Sequence, residues 1–359
     1  MPKTHLALIL STLTLTALAT GCAAPTDDAT SDLGPDVEVG AVEQAISSGT
    51  PLSRYSPYAE TTVSFGYCTG TIIGPRHVLS AAHCDPRVGD AVMFYQGATQ
   101  YPGAVANMKT IYMPTGVDLS RLPPRDIFAS ELANWDAGMF DSAGKYADIV
   151  VIELDRSIPY PGRIALLPTT YLGNAPTGTM VGSGRHDGQM NPGNTLRSTT
   201  SKVYSSNDAD GHMLTDSANV NPGDSGGPFY TLRGARPIVH GALSGTRWEW
   251  AQRAKYTSVS FHIRRILWAM GEVRLPANLD YPIPAYATQR MASLDDCAVA
   301  CMQSTRCQSY AFEAATGTCS YKGSVTGVWP QRAVGVRAGF RRSSGTGPCT
   351  NVVGGFCRM

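Results

Sequence analysis

The sequence is short of charge and of long uninterrupted runs. Only 16% of its 359 residues are Asp, Glu, Lys or Arg, and the formal net charge is +1. A chain so close to neutral has no field with which to gather nucleic acid or an anionic membrane, so neither is expected as a partner. Set beside 43% hydrophobic residues, the same scarcity of charge excludes a disordered polyelectrolyte and implies a packed core. No hydrophobic segment, the N-terminal stretch included, reaches the length of a membrane-crossing helix, and no internal repeat is visible. Cysteine is absent from the whole interval between Cys84 and Cys297, which separates any staples into two regions.

The N-terminal stretch is the exception to the shortage of long runs. Lys3 gives a positive start, Leu6 to Ala19 are apolar but for Ser and Thr, and Ala19-Thr20-Gly21-Cys22 offers small residues for cleavage. That grammar predicts a signal peptide over 1–22 and an exported protein. A Cys directly after the small residues resembles a bacterial lipobox, with Ala19 where Leu is usual. Cys22 is thus either a lipid-bearing terminus on a bacterial cell envelope or lost from a secreted protein whose mature chain starts well beyond it. Residues 23–45 carry an acidic bias (Asp27, Asp28, Asp32, Asp36, Glu38, Glu43) and read as a propeptide or linker. In an oxidising compartment the nine cysteines, less Cys22, form an even set: Cys68 and Cys84, then Cys297, Cys301, Cys307 and Cys319, then Cys349 and Cys357.

From 46 to 275 the chain is a succession of short apolar runs, such as Thr71-Ile72-Ile73 and Ile149-Val150-Val151-Ile152, broken by Gly, Pro and Asn. The 37 glycines favour turns, and runs this short predict a mainly β barrel or sandwich. Ile263, Ile266, Leu267 and Met270 recur at helical spacing and predict one helix near the end of this region. Pro276, Pro282 and Pro284 then mark a linker, and the texture changes to a dense cysteine region.

Three strings carry chemistry. In Val78-Leu79-Ser80-Ala81-Ala82-His83-Cys84, a histidine follows an apolar run and would be held rigidly if Cys84 paired with Cys68. In Gly223-Asp224-Ser225-Gly226-Gly227-Pro228, glycines let the backbone bend so that the N–H groups of Gly223 and Ser225 converge on one point beside a serine. A serine hydroxyl becomes a nucleophile only when a base takes its proton and such donors receive the oxyanion. In Asp148-Ile149-Val150-Val151-Ile152, an aspartate at the mouth of an apolar strand can be buried while accepting from a histidine. Asp136 and Asp141 lie in the same interval but begin no apolar run. His77 fits no motif and reads as a strand residue.

Together these strings resemble the trypsin/chymotrypsin family of serine proteases. The resemblance implies a chymotrypsin-like double β-barrel with a C-terminal helix over 46–275, a disulfide Cys68–Cys84, and a catalytic triad of His83, Asp148 and Ser225. It implies an oxyanion hole from Gly223 and Ser225, and protein or peptide substrates cleaved with no metal or organic cofactor. The chain order His, Asp, Ser is that of this family and excludes the subtilisin-like and α/β-hydrolase arrangements. In the family, cleavage before an Ile or Val frees an ammonium that inserts beside the aspartate preceding the nucleophile. Here Ile46 and Asp224 occupy those places. Ser47-Ser48 stands where Val-Gly is usual, and Ala45 before the cut points to an activating protease of non-tryptic preference. The pocket positions fall at Asn219, Ser244 and Gly245. A neutral Asn219 cannot pair with Arg or Lys, so no strong preference for basic side chains is expected.

Cys297 and Cys301 lie at i, i+4, followed by Cys307, the strand-like Tyr310-Ala311-Phe312, and Cys319. Metal binding is the competing use of four cysteines, but the spacing is not a paired C-x2-C knuckle and export disfavours it. The string resembles a PAN/apple domain over 281–342, a small disulfide-stapled α+β unit. That resemblance implies Cys297–Cys319, Cys301–Cys307, and a protein or carbohydrate ligand. Cys349 and Cys357 are expected to pair in a tail over 343–359. The module either targets the protease or only stabilises it. The rival to an active enzyme is a catalytically silent binding protein or adhesin on the same fold.

Overall fold

The computed structural model describes residues 46, 49–117, 139–159, 162–185, 195–207, 209–216, 220–247, 253–325, 328–342 and 356–358. The short apolar runs become strands of two closed six-stranded barrels. The first is made by Thr62–Phe65, Cys68–Gly74, His77–Ser80, Ala91–Gln96, Thr99–Pro114 and Val150–Leu154. It closes because the long Thr99–Pro114 strand pairs with Ala91–Gln96 on one side and Val150–Leu154 on the other. The second is made by Thr177–Gly182, Arg197–Asn207, His212–Thr215, Arg253–Ser258, Arg236–Arg247 and Pro228–Arg233 in ring order, the last pairing back to Thr177–Gly182. Every pairing between these barrel strands is antiparallel, so two-residue hairpins suffice where glycine supplies a positive φ. Phe65 pairs with Cys68 across Gly66 (φ 52°), and Arg233 with Arg236 across Gly234 (φ 62°).

Each barrel fills its own interior. Val63, Ile72, Val78, Phe94 and Ile152 close the first; Met180, Met213, Phe229 and Tyr256 close the second, with Ile46 packed among them. Side chains of this size contribute about 1.5–3 kcal/mol each when fully buried. The barrels meet at Tyr230, which stacks on Tyr58 with ring centroids 5.4 Å apart. Its buried hydroxyl accepts from Thr61 Oγ1 at 3.0 Å, as a phenol taken out of water must find a partner.

The expected helix forms over Ile263–Ala269, burying Ile263, Ile266 and Leu267. A five-stranded sheet follows, in the order Glu272–Arg274, Val336–Arg341, Ser309–Glu313, Thr318–Lys322, Ala285–Arg290, with the helix Leu294–Gln303 against it. Ser293 caps that helix by accepting the Asp296 N–H, and Asp295 and Asp296 put negative charge at its positive end. Disulfides Cys297–Cys319 and Cys301–Cys307 tie the helix to the neighbouring sheet and loop.

The segment that prolines mark as a linker is not a free tether. Glu272–Arg274 pairs with Val336–Arg341, Leu279–Asp280 with Gln331–Arg332, and Leu275 and Asn278 donate to Ala338 and Val336. The reason is a shared core. Cys297, Ala298, Cys301 and Met302 of the capped helix belong to one buried cluster with Ile266 and Leu267 of the preceding helix and Ile73 and Leu79 of the first barrel. Gln303 Nε2 donates to the carbonyls of Ile73 (3.0 Å) and Ala165 (2.6 Å). Among the described residues no helix is long and apolar enough to cross a membrane.

Candidate active site

The strand His77–Ser80 leads into a single 3-10 turn, Ala82–Cys84, and the disulfide Cys68–Cys84 fixes that turn to the neighbouring strand. His83 therefore emerges from a covalently braced corner. Its backbone N–H donates to Asp148 Oδ1 at 2.9 Å, and its ring Nδ1 lies 2.7 Å from Asp148 Oδ2. An ionised carboxylate only accepts, so Nδ1 carries the hydrogen and Nε2 is the nitrogen able to take a proton.

Asp148 opens the strand Val150–Leu154 and is fully buried. Its charge is answered by more than His83. Ser244 Oγ donates to Oδ2, and Tyr146 Oη lies 2.6 Å from Ser244 Oγ. Thr257 Oγ1 donates to the Asp148 backbone carbonyl at 2.8 Å. Asp148 and His83 come from the first barrel and Ser244 and Thr257 from the second, so the site straddles their seam. Asp141 is engaged elsewhere, paired with Arg265. Burial pushes its carboxyl up, but the Lys145 N–H and the Arg265 guanidinium outweigh that and hold it below the usual range. Asp136 lies outside the described residues. His77 sits in its strand, and burial pushes its imidazole down to about 4.

Ser225 lies in the turn before Pro228–Arg233, flanked by Gly223 (φ 103°) and Gly226 (φ 77°). Its carbonyl accepts from the Thr69 N–H at 2.8 Å and lies 3.8 Å from Cys84 Sγ, so the turn packs onto the disulfide beside His83. Thr69 Oγ1 also donates to the Gly223 carbonyl at 2.8 Å. At Gly226 a Cβ would stand 2.0 Å from Ser80 Oγ and 2.4 Å from the Thr69 carbonyl oxygen, so both the space and the positive φ demand glycine.

Asp224, the residue before the serine, is fully buried. It accepts from the backbone N–H groups of Gly184 (2.8 Å) and Asn221 (2.9 Å), and burial pushes its carboxyl up to about 7. A Cβ at Gly182 or Gly184 would strike this carboxylate, so the two glycines form its cradle. Ile46 is buried in the same barrel core as Tyr256, a residue whose hydroxyl feels the charge of Asp224.

Gly245 lies in Arg236–Arg247, next to the register shift between Leu243 and Gly245. Asn219, Cys22 and Cys349 fall outside the described residues, as does the side chain of Cys357. Sequence reasoning missed Thr69, Tyr146, Gly182, Gly184 and Thr257. Only the Gly182-Ser183-Gly184 spacing gave a local signal, since a glycine pair at the end of a strand marks a close approach.

No curated protein sequence matches the chain significantly. The profile of the trypsin family matches residues 46–266, and that of the PAN domain matches residues 279–342. With the first match spanning more than half of the chain, and two closed six-stranded barrels bearing a disulfide-stapled module, this chain belongs to the trypsin family and carries a C-terminal PAN domain.

Proposed function

We propose that the protein is an exported serine endopeptidase in which Ser225 is the nucleophile, His83 the general base and then general acid, and Asp148 the residue that orients His83. The observation that carries this reading is the doubly anchored His83–Asp148 pair. A carboxylate bound to both the backbone N–H and the ring Nδ1 of one histidine fixes its tautomer and stabilises the imidazolium formed when serine gives up its proton. The Ser225 turn packed against Cys84 supports the assignment of the nucleophile. Gly223 and Ser225 supply the oxyanion donors in this reading. The acyl-enzyme is then hydrolysed by water, with His83 taking its proton.

Activation follows from the second buried carboxylate. Cleavage at Ala45–Ile46 creates an ammonium beside a barrel core that already holds Ile46 and lies against Asp224. An under-supplied buried charge draws that cation in, which orders the Gly223–Ser225 turn. Ser244 and Gly245 line the substrate side of the site in this reading.

The shared core favours a supporting role for the PAN domain, because its helix is consumed in packing on the protease rather than held free for a ligand. Recognition of a protein or carbohydrate would use its exposed sheet edge Ala285–Arg290. Incubation of the chain beginning at Ile46 with denatured protein substrates tests the activity. Cleavage by the parent and none by Ser225→Ala is expected. Equal products from both, or none from the parent, would overturn the reading.

A further inference from the structure

The strand Arg253–Ser258 alternates as a barrel strand must. Ala254 and Tyr256 turn into the second barrel, while Lys255 and Thr257 share the opposite face, where Thr257 binds the Asp148 carbonyl. Lys255 is thus a lysine on the face that meets Asp148, and it is only 5% exposed. Its ammonium lies 3.4 Å from the centroid of the Tyr146 ring. The Tyr146 hydroxyl in turn lies 2.6 Å from Ser244 Oγ, which contacts Asp148 Oδ2.

The direction of this chain follows from chemistry. The Asp148 carboxylate can only accept, so the single Ser244 hydrogen goes to it. Tyr146 must then be the donor to Ser244. A cation over the ring withdraws electron density from the phenol and makes its O–H a stronger donor. In a dry seam such a chain polarises link by link. We propose that Lys255 and Tyr146 are positioning residues for Asp148: the ammonium over the ring drives a one-way hydrogen-bond chain, Tyr146 to Ser244 to Asp148, that holds the carboxylate facing His83. The Ser244 contact belongs to the site already described; the two residues behind it are the addition. The proposal rests on the reading of His83 as base.

Among the described residues, other titratable groups around the chain have contacts of their own. His83 and Asp148 lie at its end, and His212 stands edge-on to the Tyr146 ring. His262 Nε2 contacts the Tyr146 carbonyl, with burial pushing that imidazole down to about 4, and the Asp141–Arg265 pair lies nearby. Lys145 and Asp210 pair at the surface. Lys255 is the cation set on the ring itself.

The test uses Lys255→Met, Lys255→Arg and Tyr146→Phe in the chain beginning at Ile46, with two readouts. One is the low-field proton resonance of the His83 Nδ1–H, which reports on the network whether or not the protein cleaves anything. The other is the pH profile of fluorophosphonate labelling at Ser225. Losing the ammonium or the phenol O–H weakens donation to Asp148 and removes opposition to an imidazolium. Lys255→Met and Tyr146→Phe should therefore displace the resonance and move the acid limb of labelling up by about 0.5–1 pH unit. Lys255→Arg should restore both. A resonance unchanged in folded Lys255→Met or in Tyr146→Phe overturns the proposal, and Tyr146→Phe alone decides if the methionine variant does not fold. Absence of labelling in the parent would count against His83 as base, while the resonance still judges the chain behind it.

Discussion

The regions around Asp148 and Asp224 bury a carboxylate equally completely and treat its charge in opposite ways. Around Asp148, two donors from His83 and one from Ser244 converge on the two oxygens. Around Asp224, among the described residues, two backbone N–H groups donate and two glycines form a cradle, and burial pushes the carboxyl up to about 7. Burial alone therefore does not decide what a carboxylate does; the supply of donors and cations does. In the function proposed above, the well-supplied site works on a histidine and the under-supplied one is a seat for a charge that arrives later.

The largest effect expected from breaking this contrast is at the supplied site. Asp148→Asn keeps the shape but offers His83 an amide in place of a charge, favouring the wrong tautomer. Peptide hydrolysis should fall about ten-thousand-fold in kcat/KM, while unfolding by urea changes far less. A loss under tenfold would remove Asp148 from the mechanism.

The next effect is in stability against pH. With Ile46 still joined to Ala45, the Asp224 carboxyl titrates near 7 in the fold, against about 3.9 in an unfolded chain. Between those values the folded state keeps a proton that the unfolded state has lost. Its stability therefore falls as pH rises through this window, by about 3 kcal/mol between pH 5 and pH 8. Asp224→Asn should flatten the dependence. A chain beginning at Ile46 should lack the loss, because its ammonium supplies the charge. Urea midpoints at the two pH values measure all three, and equal pH dependence in the cleaved and uncleaved forms would erase the difference between the two carboxylates.

The smallest effect tests how far the supporting frame extends. Gln303→Ala leaves the carbonyls of Ile73 and Ala165 without their donor and should cost about 1–3 kcal/mol in global unfolding. A single cooperative transition that shifts as a whole would fit the shared core. A PAN domain that melts separately, leaving the barrels unaffected, would contradict it.

What could be read from sequence was whatever is written contiguously. His83 beside Cys84, Ser225 between glycines, and Asp148 before an apolar strand are local strings, and the structure joins the first to the third by a direct contact. The double barrel was legible for the same reason, since each short run is its own strand. Tyr146, Lys255 and Thr257 were not, because their roles exist only once the Arg253–Ser258 strand of one barrel meets the Asp148 corner of the other. The prolines near 276 read as a linker because Glu272–Arg274 and Leu279–Asp280 are too short to show a strand pattern, and their partners come some fifty or more residues later. Gly182 and Gly184 were not legible as a cradle because the carboxylate they accommodate is distant in the chain.

The most direct test of the central claim is fluorophosphonate labelling of the chain beginning at Ile46, with the adduct mapped by mass spectrometry. One adduct is expected, on Ser225, lost in His83→Ala. A folded, correctly started chain that takes no adduct, or takes it equally without His83, would contradict it.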